Sequence, residues 1–161
     1  MKALSLWQPW ASLWCSDAKE HETRDWELHH RGWLLVHAAK TREGFDDVDG
    51  HLDGIISDRF GSNWRLDLPR GMIIGAVDVI DVQATSVILK HYGKMAGMVD
   101  SKEWTDLQCG NFGPRRYGFL RREFKRFAQP IPYRGQQGPF NVPDEIVRAA
   151  FDAAPARAEA A

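Results

Sequence analysis

The run from Gly71 to Val82 constrains the fold more than any other stretch of the chain. Extended, it places Met72, Ile74, Ala76, Asp78, Ile80 and Val82 on one face and Ile73, Val77, Val79 and Asp81 on the other. Both faces are largely apolar, so both must be covered. That predicts a strand at the centre of a sheet. Partners for it are legible nearby. Ala3–Leu6 reads as a short opening strand. Glu20–Trp26 alternates, with Glu22, Arg24 and Trp26 on one face and Thr23 and Asp25 on the other. Trp33–Ala38 sets Trp33, Leu35 and His37 against Leu34, Val36 and Ala38, after a turn at residues 29–32. Tyr117–Phe127 supplies one or two further strands, and Pro130 and Pro132 limit the next segment to an edge or irregular strand.

Helical spacing appears between these segments. Pro9 suits the first turn of a helix that carries Trp10, Leu13 and Trp14 on one face and stops near Asp17 and Ala18. Arg42–Phe60 has an apolar stripe of Phe45, Val48, Leu52, Ile55, Ile56 and Phe60 opposite a row of aspartates, interrupted by Gly50 and Gly54. Thr85–Trp104 reads as a short helix and a loop. A last helix opens at Val142-Pro143-Asp144, uses Ile146, Val147, Ala150 and Phe151, and ends at Pro155. Short strands interspersed with helices indicate an α+β fold, and the number of strands suggests a small closed barrel with flanking helices. With no internal repeat and no long linker, residues 1–154 form one expected domain, and the Ala-rich tail, 155–161, is expected to be disordered.

No apolar run approaches a membrane span and the first residues lack a signal-peptide pattern, so a cytoplasmic protein with no membrane partner is expected, acting as a monomer. Cys15 and Cys109 have no metal-type spacing and fit reduced thiols; no cofactor or metal is expected. The net charge of −1 hides an asymmetry. Between Asn111 and Gln137, seven cations (Arg115, Arg116, Arg121, Arg122, Lys125, Arg126 and Arg134) face one anion, Glu123, so this segment carries +6 and the remainder −7. Cations interleaved with an aromatic, as in Arg115-Arg116-Tyr117, suit phosphate contact and base stacking; a solvated surface strand gives the same pattern.

Several blocks together resemble the ASCH-domain family. They are Leu4-Ser5-Leu6-Trp7-Gln8-Pro9-Trp10-Ala11-Ser12-Leu13, then Lys19 to Arg24, which fits Lys-x-x-Glu-x-Arg, and Arg31-Gly32 with Leu34 to Ala38. Gly71 to Asp78 comes next, and the pattern ends with Pro130 to Gly135 and Phe140 to Pro143. The resemblance implies a PUA-like β-barrel, a fold widely used to bind RNA, and makes RNA or a nucleoside the expected ligand.

It also draws attention to Lys19, Glu22 and Arg24. Glu22 can accept from an exocyclic amine, and the Arg24 fork can hold a carbonyl or a phosphate. The competing structural reading is an ion pair bracing the helix–strand corner. Gln8, Trp10, Trp26, His37, Arg115, Arg116 and Tyr117 complete the expected binding set. Some bacterial relatives in this family are N4-acetylcytidine amidohydrolases that use a lysine, a threonine three residues later and a distant glutamate. Here Lys19 matches, but Glu22 stands at the threonine position, Thr23 alternates to the opposite side, and Met95 lies near the glutamate position. The alternative is therefore a hydrolase, acting on N4-acylated cytidine or on single-stranded RNA, with Lys19, Glu22 and Asp78 as candidate catalytic groups. Asp78, a carboxylate among apolar neighbours, could instead pair with a buried arginine such as Arg24.

Overall fold

The computed structural model describes residues 1–99 and 101–158. Its strands are β1 (Lys2–Leu6), β2 (His21–Arg24), β3 (Gly32–Ala38), β4 (Met72–Ala84), β5 (Tyr117–Pro132), β6 (Pro139–Asn141) and β7 (Arg157–Ala158). Its helices are α1 (Trp10–Trp14), α2 (Gly50–Phe60), α3 (Trp64–Asp67), α4 (Thr85–Tyr92), α5 (Lys102–Gln108) and α6 (Asp144–Ala153). The strands form one sheet in the order β2-β5-β4-β3-β1-β6, with β7 added to β5. Among the described residues only the β1–β3 pair is parallel. The α+β class is as expected.

The sheet curls into a half-barrel. Its seam is bridged by a side chain, not a backbone ladder: Arg24 on edge strand β2 donates from its Nη2 to the Ser5 carbonyl of β1 at 3.1 Å. This seam is where the candidate site lies.

β4 is central, between β3 and β5, as its two apolar faces require. Strict alternation fails along it, however. Ile74, Val77 and Val79 pack inside the barrel with Leu4, Leu34, Val36 and Phe119, whereas Ile73 and Ala76 pack outside with Leu35, Phe127 and Val147 of α6. Register shifts between Ile73 and Gly75 and between Val77 and Val79 break the two-residue period. Gly75 sits at the first shift, where a Cβ would fall 2.2 Å from the Lys125 carbonyl. β3 keeps its expected faces, with Leu34, Val36 and Ala38 inside and Leu35 outside. Each of these buried Leu, Ile and Val side chains stabilises the fold by about 1.5–3 kcal/mol.

Other boundaries moved. α1 ends at Trp14, short of Asp17, because Ser16 Oγ and the Ser16 amide both turn back onto the Leu13 carbonyl. The stripe at 42–60 becomes a 3₁₀ turn at Glu43–Phe45 followed by α2. Asp49 starts that helix by accepting from the amides of His51 (3.0 Å) and Leu52 (2.8 Å). β5 is one 16-residue strand that runs through Pro130 to Pro132 while pairing with β4. β6, whose Phe140 joins the outer cluster, has too few residues to show a period. In the tail expected to be disordered, Arg157–Ala158 pairs with Glu123 and Phe124; residues 159–161 lie outside the described residues. Among the described residues no helix is long and apolar enough to cross a membrane.

Candidate functional site

A cavity of about 540 Å³ opens along the barrel seam. β1 and the turn into α1 supply Ser5, Leu6, Trp7 and Trp10. The corner before β2, and β2 itself, supply Lys19, Glu22, Thr23 and Arg24. The segment leading into α2 adds Asp47 and Asp49, and the stretch after α5 adds Gly110, Asn111 and Arg116.

Glu22 is the centre of this arrangement. Its carboxylate is almost fully buried and lies between two cations, with Oε2 3.4 Å from Lys19 Nζ and Oε1 3.1 Å from Arg24 Nε. The second contact is an ion pair without hydrogen-bond alignment, and Arg24 Nε is buried with no hydrogen-bond acceptor. Lys19, 1% exposed, also donates to the Cys109 carbonyl at the end of α5 (2.6 Å). That carbonyl is the negative end of a helix, which suits an ammonium.

The corner that presents Lys19 is held from below by Arg121. This arginine is 2% exposed, donates from Nε to the Lys19 carbonyl at 3.0 Å, and bonds the Ser16 carbonyl through Nη2. Arg116 ties the 111–116 loop to β2 by donating to the carbonyls of Asn111 (3.0 Å) and Thr23 (3.1 Å). The Asn111 amide in turn donates to Thr23 Oγ1.

Behind the corner lies a second polar cluster. Asp106 of α5, wholly buried, accepts at Oδ1 from the amides of Glu20 (2.7 Å) and His21 (3.0 Å), and at Oδ2 from His21 Nδ1 (2.8 Å) and the Tyr92 hydroxyl (2.6 Å). Burial pushes its carboxyl up, but the His21 hydrogen bond, the charges of His21 and Lys19, and the Tyr92 bond together hold it below the ordinary carboxylate range. Glu20, His21 and Asp106 have donor atoms close enough to hold a metal ion. Each Asp106 oxygen already accepts two hydrogen bonds and Glu20 is ion-paired with Lys102, so Asp106 serves here as a hydrogen-bonded brace.

The structure gathers five of the expected residues, Trp10, Lys19, Glu22, Arg24 and Arg116, around the cavity. Others are placed elsewhere. Gln8 is buried and spends its amide on Ser12 and the Pro69 carbonyl. Trp26 lies beyond the end of β2 and packs on Phe119 inside the barrel, 5.4 Å between ring centres. His37 is buried between Ser5 Oγ and the Tyr133 carbonyl, each 3.0 Å away. Burial pulls its pKa down, only partly opposed by the bond to Tyr133. Asp78 pairs with Arg122 (2.6 Å), not with Arg24, and does not line the cavity. Tyr117 packs on the inner core, and Arg115 is exposed at a positive φ of 58°.

The basic segment is not one surface. Arg121 is internal and Arg122 holds Asp78. Lys125 donates to the Phe151 carbonyl, Arg126 lies over the Phe60 ring, and only Arg116 reaches the cavity. Sequence reasoning missed Trp7, Thr23, Asp47, Asp49 and Asn111. Thr23 lines the cavity although it alternates away from Glu22, because the strand is an edge at the seam and both its sides meet the opening. Trp7 could have been noticed as the aromatic next to the helix start. Asp47 and Asp49 were hidden in what looked like a solvated helix face.

The family model of the ASCH domain matches residues 4–127. Activating signal cointegrator 1 from Mus musculus is 36% identical over 100 residues, 61% of this chain and 17% of that protein. Its counterpart from Homo sapiens is 30% identical over the same shares. The chain thus spans less than a fifth of the length of these curated relatives. Among solved structures, a serine-to-alanine mutant of ZmASCH from Zymomonas mobilis superposes with a TM-score of 0.52, covering 96% of both chains at 14% identity, a likeness in fold alone.

Proposed function

The chain belongs to the ASCH domain family, and we propose that its seam pocket recognises a nucleobase, presented by RNA or by a nucleoside. One observation carries this reading: a nearly buried carboxylate, Glu22, and a guanidinium with an unbonded buried Nε, Arg24, stand side by side in a cavity that also contains two indoles. A nucleobase is planar, carries amine donors and carbonyl acceptors on one edge, and stacks on indole faces. Glu22 would accept from the amine and Arg24 would donate to the neighbouring acceptor. Lys19 holds the Glu22 carboxylate in place from its other side.

The test is Glu22→Gln, measured by binding of fluorescent single-stranded RNA and of the four ribonucleosides, with the folded fraction measured separately. The expected result is at least a tenfold loss of affinity per folded molecule. Unchanged affinity with lowered stability would reduce Glu22 to a brace of the corner and remove the reading.

A hydrolase in the same pocket is the second reading, favoured by one feature: Thr23, a hydroxyl, lines the cavity together with Lys19. Turnover of N4-acetylcytidine or cleavage of single-stranded RNA that disappears in Lys19→Ala, with affinity largely kept, is its signature. Absence of turnover in the unaltered protein removes it.

A further inference from the structure

His21 and Glu22 are neighbours on β2, and alternation along the strand sends their side chains to opposite faces. Glu22 lines the seam cavity. His21 lines a different cavity, of about 440 Å³, which shares no lining residue with the first. We infer that this second cavity is a ligand site in its own right, in which His21 Nε2 accepts a hydrogen bond from the hydroxyl of a small phenolic molecule. The inference goes beyond the nucleobase reading and does not depend on it.

The His21 side chain is 5% exposed, and its two ring nitrogens are in different situations. Nδ1 lies 2.8 Å from Asp106 Oδ2. Asp106 is held below the ordinary carboxylate range, so it is an anion that can only accept, and Nδ1 carries the proton. The Tyr92 hydroxyl donates to the same oxygen, which leaves its own lone pair facing the Nδ1 side of the ring. In the neutral imidazole Nε2 is then a bare acceptor. Among the described residues no donor reaches it, and it is not sealed from solvent. The brace behind the corner therefore accounts for Nδ1 alone. It leaves Nε2 without a partner on a buried ring that lines a cavity. Edge-on contacts from Tyr92 and Phe112, with ring centres 5.8 and 6.0 Å away, hold the imidazole in its orientation.

The remaining walls set the class of ligand. Val87, Ile88, Met95 and Leu120 make them largely apolar, and Val87 and Met95 are half-exposed as the structure stands. An apolar body with one donor suits such a cavity, because it covers the exposed methyl and thioether groups and spends its donor on the buried acceptor. A phenol is favoured over an aliphatic alcohol, since its more acidic O–H donates more strongly to an imidazole nitrogen.

The test follows the imidazole nitrogens of the isotope-labelled full chain by NMR at about pH 8.5, where a free imidazole is neutral and a phenol keeps its proton. Phenol, its methyl ether anisole, and cyclohexanol are titrated into the unaltered protein, Glu22→Gln and Val87→Trp. Replacing His21 itself would strand Asp106. Val87→Trp instead fills the cavity from a half-exposed position on α4 and leaves the His21–Asp106 pair intact. Phenol is expected to bind about tenfold tighter than anisole, the worth of one hydrogen bond, with cyclohexanol between them. It should move the His21 Nε2 resonance, lose about tenfold in affinity in Val87→Trp, and bind Glu22→Gln as it binds the unaltered protein. Equal affinity for phenol and anisole, a stationary Nε2 resonance, or undiminished binding to Val87→Trp overturns the inference, as does the absence of binding. Tighter binding of cyclohexanol overturns the phenolic class. Loss of phenol binding in Glu22→Gln would place the molecule in the seam and overturn the second site.

Discussion

Asp106→Ala should be among the most destabilising single changes near the pocket, and its cost can be worked from the contacts. The side chain accepts four hydrogen bonds with no exposure to solvent. On truncation, His21 Nδ1 and the Tyr92 hydroxyl still have each other at 3.0 Å. The amides of Glu20 and His21 have no such substitute. Each stranded donor costs about 1–3 kcal/mol, so the loss is about 3–4 kcal/mol. At about 2–4 °C per kcal/mol for a chain of this size, the melting temperature falls by about 10 °C. Asp106→Asn keeps one oxygen for both amides. Its NH₂ then meets groups that can turn to accept, the imidazole by exchanging tautomer and the phenol by rotating. A loss of about 1–2 kcal/mol is expected. Urea unfolding of the two variants measures the difference. If Asn costs as much as Ala, the carboxylate's charge and not its hold on the amides is what matters. If Ala costs under about 1 kcal/mol, the bracing argument is wrong. Because the folded-state pKa of Asp106 lies below the ordinary value of 3.8, its contribution is fully present above that pH and is lost as pH falls through the folded value, so the Asn deficit should shrink in acid.

Three further outcomes rest on the same packing. His37, with its pKa pulled down by burial, contributes stability that is present above the ordinary value of 6.5 and lost as pH falls through its folded value; urea midpoints between pH 7.5 and 5 should fall less steeply in His37→Gln. Burial pushes the thiols of Cys15 and Cys109 up to about 12 and about 11, so Ellman's reagent at pH 8 should label neither in the folded protein and both in urea; rapid labelling without urea would contradict their burial. Arg121→Ala should cost about 3 kcal/mol or more in urea unfolding because two corner carbonyls lose their donor, whereas Arg115→Ala, at an exposed loop position, should stay within about 0.5 kcal/mol; similar effects for the two would mean that the charge run acts as one surface after all.

The contrast between Arg121 and Arg115 also marks how far the sequence could be read. Charge density along the chain is visible, but burial of a charged side chain depends on which carbonyls another segment brings to it. Ser16 and Lys19 lie more than a hundred positions from Arg121. The central place of β4 was legible because two apolar faces admit one physical solution. Its true faces were not, since the bulges that reset them arise from pairing with a partner strand. Lys19, Glu22 and Arg24 could be picked out together because the resemblance marks them as one block of six residues. His37, on β3, and Gln8, just before α1, lie in other blocks of the same resemblance, yet local spacing does not reveal that Tyr133 and Pro69 have already taken their polar groups.

The seam explains why one edge strand can serve both architecture and recognition. In a fully closed barrel the backbone of β2 would be paired on both sides and its alternate side chains divided between core and solvent. Here only β5 pairs with β2, and the free side faces β1 across the opening. The link from Arg24 to the Ser5 carbonyl spans that opening without filling it, which leaves Glu22, Thr23 and Arg24 all on the cavity. The Arg24 guanidinium that pairs with Glu22 is therefore also the group that bridges the seam. Weakening its contacts should change pocket shape as well as pocket chemistry, and the two effects can be separated. Arg24→Lys keeps a cation near Glu22 but lacks the fork needed to reach both Glu22 and Ser5. If the fork matters for the seam, Arg24→Lys should increase amide hydrogen exchange in β1 and β2 and leave β3 and β4 protected. Unchanged exchange in β1 and β2 would show that the half-barrel holds its curvature without this bridge, and that Arg24 is free to serve the ligand alone.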